Sequence, residues 1–227
     1  MGVFLVSPLA AGARPLERMV RQRVRIRFRK QGDLRWIGHR DLARALERLF
    51  RRAGLALGMS EGYHPKPRMS FPSALAVGIE GLDEVLEVEL AEAMPAESLA
   101  ARLNAHAPPG LQFTAVEWLP PQARKAQLRS ATYEIAVPAD RQAETAQRIE
   151  RLLAERAPTA LRPDLHPHAR LRASIEDLRL GDGVLQMRLV AGAPGSAGPR
   201  DVLAAVGLED LLPQGARLVR SRVELQP

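Results

Sequence analysis

The sequence predicts an α+β protein made of two tandem ferredoxin-like (βαββαβ) subdomains with antiparallel sheets. Three observations point there. Alternating apolar and polar residues mark strands at VRIRFR, VLEVEL and LQFTAVEWL. Apolar residues at helical spacing fill the intervals between them. The order strand, helix, strand, strand, helix, strand then recurs after Pro120 and Pro121.

In the first half, residues 23–29 alternate, so Val24, Ile26 and Phe28 face one side of a sheet and Arg23, Arg25, Arg27 and Arg29 the other. After the loop KQGDLRWIG, the residues Leu42, Ala45, Leu46, Leu49, Phe50 and Ala53 form one helical face. Asp41 lies in that helix's first turn, where a carboxylate suits the free N–H groups, and Gly54 supplies the stop. Arg44, Arg48, Arg51 and Arg52 fall off the apolar stripe, the ordinary place for solvated charge. A proline-rich segment, SEGYHPKPRMSFPSALAVGIEG, follows with a short strand near 68–71. Residues 85–90 read as a strand, 95–106 as a helix opened by Pro95, and 111–119 as another strand.

The second half repeats the order without repeating the sequence. Residues 129–138 read as a strand and 140–156 as a helix with Asp140 at its start. RLRASIEDLRLG and GVLQMRLVA read as a hairpin about Asp182-Gly183, a pair suited to a tight turn. PRDVLAAVG is a short helix and ARLVRSRVEL the last strand. The expected division is a disordered extension over 1–20, a subdomain with a basic surface over 21–121, and a second over 127–227. Met19, just ahead of the first patterned residues, is an alternative start.

A chain of 227 residues with 46% hydrophobic content is ordinary for a globular protein, and no run approaches a membrane span. With no cysteine, disulfides and thiolate-bound metals or clusters are excluded, which fits the cytoplasm. The net charge of +7 is unevenly spread. Residues 14–68 hold 16 lysines and arginines against 5 acidic residues, a net of +11, while the remainder holds 17 against 21. That asymmetry suggests contact with a polyanion.

The proline-rich segment is where the chemistry gathers. Pro65 and Pro67 fix their own φ angles and keep His64 and Lys66 out of helix. A segment so stiffened loses little entropy on binding. Tyr63 is fit to stack on a base, and Lys66 and Arg68 to neutralise phosphates. His39, Arg40 and Asp41 stand at the strand-to-helix junction, where a helix opening favours anions. Each has a plainer reading: Tyr63 buried under the arm, and His39 and Asp41 only organising the helix start. His166-Pro167-His168 is a poor metal motif with no third ligand near in sequence. AGAPGSAGP lacks the terminal Gly-Lys-Ser/Thr of a phosphate loop, and neither GxSxG nor HExxH is present.

Residues 23–90 resemble the radical-SAM-linked family, a domain of unknown function found alone or joined to the C-terminal end of a radical S-adenosylmethionine protein. His39, Asp41, Arg52-Ala53-Gly54-Leu55, Ser60, Gly62, Pro65, Pro67, Phe71, Pro72 and Gly78 fall on the family pattern. Later, GSAGPRDVLAAVGL is similar to the family's GxxRPxEVLxxLGL, with Gly198 in place of its arginine. The resemblance implies work beside a radical enzyme that carries the cluster, in an RNA-linked setting.

The first expectation is a non-catalytic module that binds RNA, or an RNA-bearing substrate, for a radical SAM enzyme. Its contact surface would comprise Arg25, Arg27, His39, Arg40, Asp41, Tyr63, His64, Lys66 and Arg68, with no cofactor or metal. One alternative is a metal-independent RNA endonuclease of the CRISPR-repeat-processing type. There His39 or His64 would be general acid or base, and Tyr63 auxiliary. Another is an adaptor that docks the radical enzyme through SFPSALAVGIEG. The first two require His39 and the Tyr63–Lys66 group to converge on one accessible concave surface.

Overall fold

A computed structural model of the protein describes residues 22–155, 166–191 and 196–226. The extension expected over 1–20 lies outside the described residues. The first half contains β1 (Gln22–Lys30), a 3-10 turn (Gly32–Trp36), α1 (His39–Arg52), β2 (Met69–Ser70), β3 (Ile79–Leu90), α2 (Ala96–Ala105) and β4 (Leu111–Leu119). The second contains β5 (Leu128–Ala136), α3 (Ala139–Ala154), α4 (Pro167–Ser174), β6 (Ile175–Gly181), β7 (Val184–Val190), α5 (Pro199–Ala205) and β8 (Leu218–Leu225).

These elements make a mixed α+β fold with one eight-stranded sheet, ordered β4-β1-β3-β8-β5-β7-β6, with β2 against β3. The two separate antiparallel sheets expected from the sequence are therefore joined. The joint is a parallel pairing of Ile79–Gly81 on β3 with Leu218–Arg220 on β8; the other strand pairings within the described sheet are antiparallel. The cause is the length of β3, which starts at Ile79, six residues before the alternating VLEVEL. β2 covers β3 only at Glu87 and Val88. The extra N-terminal residues would otherwise be an open edge, and β8 pairs with them.

Two apolar clusters hold the halves. α1 buries Leu42, Leu46, Leu49 and Phe50, and α2 buries Leu99 and Leu103, against Val24, Ile26 and Phe28 of β1 and Leu86, Val88 and Leu90 of β3. Each such side chain is worth about 1.5–3 kcal/mol on burial, so α1 is fixed by its apolar face despite the many charges on its other side. The second cluster joins Ile149 and Leu152 of α3, Leu185, Met187 and Leu189 of β7 and Val202 and Leu203 of α5. Leu75 and Ile79 of the first half also belong to it, so the apolar core crosses the joint with the sheet.

Local readings fared unevenly in the second half. The β6–β7 turn has positive φ at both Asp182 (51°) and Gly183 (72°), the backbone that a two-residue hairpin loop requires. RLRAS, read as the start of that hairpin, is instead helical, because α4 runs to Ser174 before β6 begins. His166 is its N-cap and Pro167 its first residue, a position where a missing N–H costs nothing. His168, in the same turn, places Nδ1 2.9 Å from a Glu155 carboxylate oxygen.

Candidate functional site

The sheet face away from the helices carries the arginines of β1. Register decides their fate. Arg25 lies directly opposite Glu87 on β3 and Glu117 on β4. Its guanidinium is 3.0 Å from Glu87 and 3.5 Å from Glu117. Arg23 shares Glu87 at 3.2 Å and donates to the Ala123 carbonyl at 2.5 Å. Arg27 pairs with Asp83 at 2.6 Å and donates to the Val223 carbonyl. Two residues expected to contact a ligand, Arg25 and Arg27, are thus held by acids of their own sheet.

The pattern continues across the second half. Arg188 ion-pairs with Glu224 and, at 2.8 Å, with Glu176; Arg129 reaches the same two acids at 3.3 and 3.1 Å. Burial works against ionisation of Glu224, yet Arg188, Ser130 and Arg222 hold its carboxyl below the usual range. At the joint, Arg220 is 2% exposed and forms a two-point pair with Glu84, and it also donates to Ser73 Oγ at 3.0 Å. Burial opposes its charge, but Glu84 outweighs that, and the guanidinium holds its proton more tightly than usual. Lys30 is buried beside this pair and donates to the Ile37 carbonyl at 3.0 Å. Burial lowers its pKa, the Glu84 carboxylate opposes that, and Arg220 adds to it.

α1 presents the opposite case. Its arginines Arg40, Arg44, Arg48, Arg51 and Arg52 are all exposed. Arg44 lies 3.6 Å from Asp41, and Arg52 donates to the His106 carbonyl at 3.2 Å. Among the described residues, Arg40, Arg48, Arg51 and Arg52 have no ion pair. Arg40, Arg44, Arg48 and Arg52 recur every four residues, so they form one row along the helix. Like charges at that spacing destabilise a helix by about 0.2–0.5 kcal/mol per pair. His39 begins α1, with its ring edge-on to Phe71 at 4.8 Å.

The proline-rich segment forms an arm on the sheet edge. Leu57 bridges to Leu90, Gly58 N donates to the Glu89 carbonyl, and Glu89 N donates to the Arg68 carbonyl. Between those anchors the chain leaves the sheet: Met59 bridges Pro67, and Ser60 and Lys66 exchange hydrogen bonds of 2.8 and 3.0 Å. Tyr63 at the tip is 95% exposed, and its ring meets that of His64 edge-on at 5.2 Å. Arg68, at the base, pairs with Glu89 at 3.2 Å.

Among the described residues, no hydrogen bond, ion pair or ring contact joins the tip to His39, Arg40 or Asp41. The exposed tip carries Tyr63, His64 and Lys66, and the helix opening carries His39, Arg40 and Asp41, with Phe71, just past the arm's base, against the His39 ring. The ring neighbour of His39 is a phenylalanine, and that of His64 is Tyr63. Among the described residues no three His, Asp or Glu side chains gather as metal ligands, and no helix is long and apolar enough to cross a membrane. Arg44 and Arg48, set aside in the sequence as solvated charge, are exposed on α1, whereas Glu87 of VLEVEL takes up Arg23 and Arg25 on the strand.

A family model described as an uncharacterized protein conserved in bacteria (DUF2344) matches residues 23–194. No curated protein matches the chain. Among solved structures it is similar to an unknown protein from Galdieria sulphuraria at 10% identity and a TM-score of 0.27, over 91% of this chain and 99% of that one. It is also similar to a protein described as a glycine cleavage system transcriptional repressor, at 9% identity and a TM-score of 0.24, over 90% of this chain and 97% of that one. Likenesses at these scores carry no argument about the site.

Proposed function

The chain belongs to this family of uncharacterized conserved bacterial proteins, and from that premise we propose that it is a binding module for RNA, or for an RNA-bearing substrate, serving a radical S-adenosylmethionine enzyme. The observation that carries RNA binding is the row Arg40, Arg44, Arg48 and Arg52, exposed and with little internal neutralisation, while Arg23, Arg25 and Arg27 of the sheet are paired. A phosphate backbone supplies the counter-charge such a row lacks. The arm adds Lys66 and the open ring of Tyr63, a cation and a stacking surface of the kind single strands use. We read each half as ferredoxin-like. In support, the strand orders β4-β1-β3 with β2 on β3, and β8-β5-β7-β6, each set the half's first strand between its fourth and third. The radical enzyme as partner rests on the sequence resemblance alone.

The test is the salt dependence of binding to a single-stranded RNA. Each phosphate contact contributes a slope of about −0.7 in log affinity against log salt for single strands. Replacing Arg40, Arg44 and Arg48 together by alanine should therefore reduce the slope by about 2. Replacing Arg25 and Arg27, already paired, should leave it nearly unchanged. Absence of binding, binding indifferent to salt, or an unaltered slope in the α1 variant would defeat the reading. Co-purification with a radical enzyme that survives nuclease treatment tests the partner separately.

A further inference from the structure

A cleft of about 500 Å³ opens where the two halves meet, beside the parallel pairing of β3 with β8. Arg35, Trp36 and Gly78 enter it from the first half, and Arg200, Glu209 and Arg217 from the second. Leu203, Leu212 and Pro213 form an apolar wall. The size and the mixture of apolar lining with a few convergent polar groups are those of a small-molecule site.

The aromatic side is built closely. Trp36 is 59% exposed although it is one of the two largest side chains in the protein. The Arg35 guanidinium lies 4.6 Å from its ring centroid. The ring also approaches the Gly78 backbone so nearly that a Cβ there would stand 3.2 Å from Cζ3, and Gly78 has φ of +87°. Gly78 N donates to the Arg35 carbonyl at 2.8 Å, which fixes the turn that carries the indole. The same Cβ would stand 3.6 Å from a nitrogen of Arg200, so the ring and that cation share one floor.

The charged side is held in place but not used up. Arg35 donates to the Gly32 carbonyl at 2.8 Å, Arg200 to the Val77 carbonyl at 2.9 Å, and Arg217 to Glu80 at 3.4 Å. A guanidinium has five N–H donors, so each contact steadies its side chain and leaves donors over. Asp33 stands 3.9 Å from Arg35, outside the lining. Against three arginines the lining itself has one acid, the exposed Glu209, and from outside it the Glu80 carboxylate offsets part of the charge on Arg217. A carboxylate ligand offers two oxygens and one charge. A phosphate monoester offers three oxygens and up to two charges, the better match. Glu209 accepts hydrogen bonds only, as the amino edge of a base requires.

We propose that this cleft binds a nucleoside phosphate, with the base against Trp36 and the phosphate on Arg200 and Arg217. The ligand is either a free nucleotide or one nucleotide of a strand. The proposal does not depend on RNA following the α1 row.

The test uses the whole chain and calorimetry with AMP, adenosine, inorganic phosphate and a short 5′-phosphorylated oligoribonucleotide. AMP should bind at one saturable site, with adenosine and phosphate each weaker by roughly tenfold or more, because each keeps only one of the two contacts. Arg217→Ala, Arg200→Ala and Trp36→Ala should each weaken AMP by a similar factor. These are exposed side chains, and an unchanged melting temperature will show that the fold is kept. The variant lacking Arg40, Arg44 and Arg48 should bind AMP as the native chain does, even if its RNA binding fails. Oligonucleotide binding that depends on Arg217, with AMP silent, assigns the site to a strand. The proposal is overturned if neither probe gives saturable binding up to about 1 mM, or if the Arg200→Ala/Arg217→Ala double variant binds like the native chain.

Discussion

β1 and α1 lie within thirty residues of each other and both are rich in arginine, yet the two sets behave as different residues. On β1, Arg23, Arg25 and Arg27 face Glu87, Asp83 and Glu117 across hydrogen-bonded neighbours and are half-buried. On α1, Arg40, Arg48 and Arg51 face solvent, and the helix bears their mutual repulsion. Charge counting merges the two sets into one basic region. Pairing separates them: Arg23, Arg25 and Arg27 are neutralised within the sheet, and Arg40, Arg48 and Arg51 are not.

The comparison breaks most visibly where a paired arginine is fully enclosed. Arg220→Ala should leave the Glu84 carboxylate buried without its partner and cost about 3–5 kcal/mol in chemical denaturation. Replacing Arg220 and Glu84 together by methionine and leucine should recover much of that loss, since no unpaired charge then remains. If Arg220→Ala melts like the native chain, the joint between the halves is not held as described.

A smaller effect is expected at Glu87, which binds Arg23, Arg25 and the Ala126 N–H. Glu87→Gln should cost about 1–3 kcal/mol, the range for a buried hydrogen-bonded charge. It should also release two cations on the sheet face, so RNA affinity at low salt should hold if α1 meets the strand. A marked rise would mean that the sheet face, and not α1, meets the ligand. By contrast Arg48→Ala should be neutral or stabilising by about 0.2–0.5 kcal/mol per relieved pair, while RNA binding weakens.

The last contrast is read from acid. Arg141 accounts first for the lowered pKa of Asp210, and Arg188, with Ser130, holds Glu224 below its ordinary value against the cost of burial. A depressed folded pKa means that the unfolded chain binds the proton more readily. The stabilisation from both pairs is therefore complete above the unfolded carboxylate value and is lost as pH falls through the lower folded values. The melting temperature should drop on acidification below about pH 4, and Arg188→Ala should flatten part of that drop.

Much of the fold was legible because its signals are local. The alternation of Val24, Ile26 and Phe28 with arginines gave β1, and the stripe Leu42, Leu46, Leu49, Phe50 gave α1. The Asp182-Gly183 pair gave the β6–β7 turn. α4 was missed because, of its eight residues, Leu171 is the one large apolar side chain, too few to show a period. The true start of β3 was hidden by Gly78 and Gly81, a residue type that suits turns, although Ile79, Glu80 and Gly81 pair with β8. The candidate site was legible only in part. Of the two readings of Tyr63, stacking surface or buried ring, its exposure beside His64 and Lys66 fits the first, but a surface shared with His39 depends on where an edge arm points. No local pattern carries that.

The sequence by itself determined most of the strands and helices, α4 and the start of β3 excepted, which face of each is apolar, and that the first third of the chain is strongly basic. These follow from periodicity and composition, which act over a few residues. The tertiary structure alone decided which arginines are neutralised, because an ion pair across a sheet depends on register between strands sixty residues apart. It alone decided that β8 would lie along β3. That pairing draws Arg200 and Arg217 to Trp36, residues more than 160 positions distant in the chain, and no residue of that cleft carries a sign of the others.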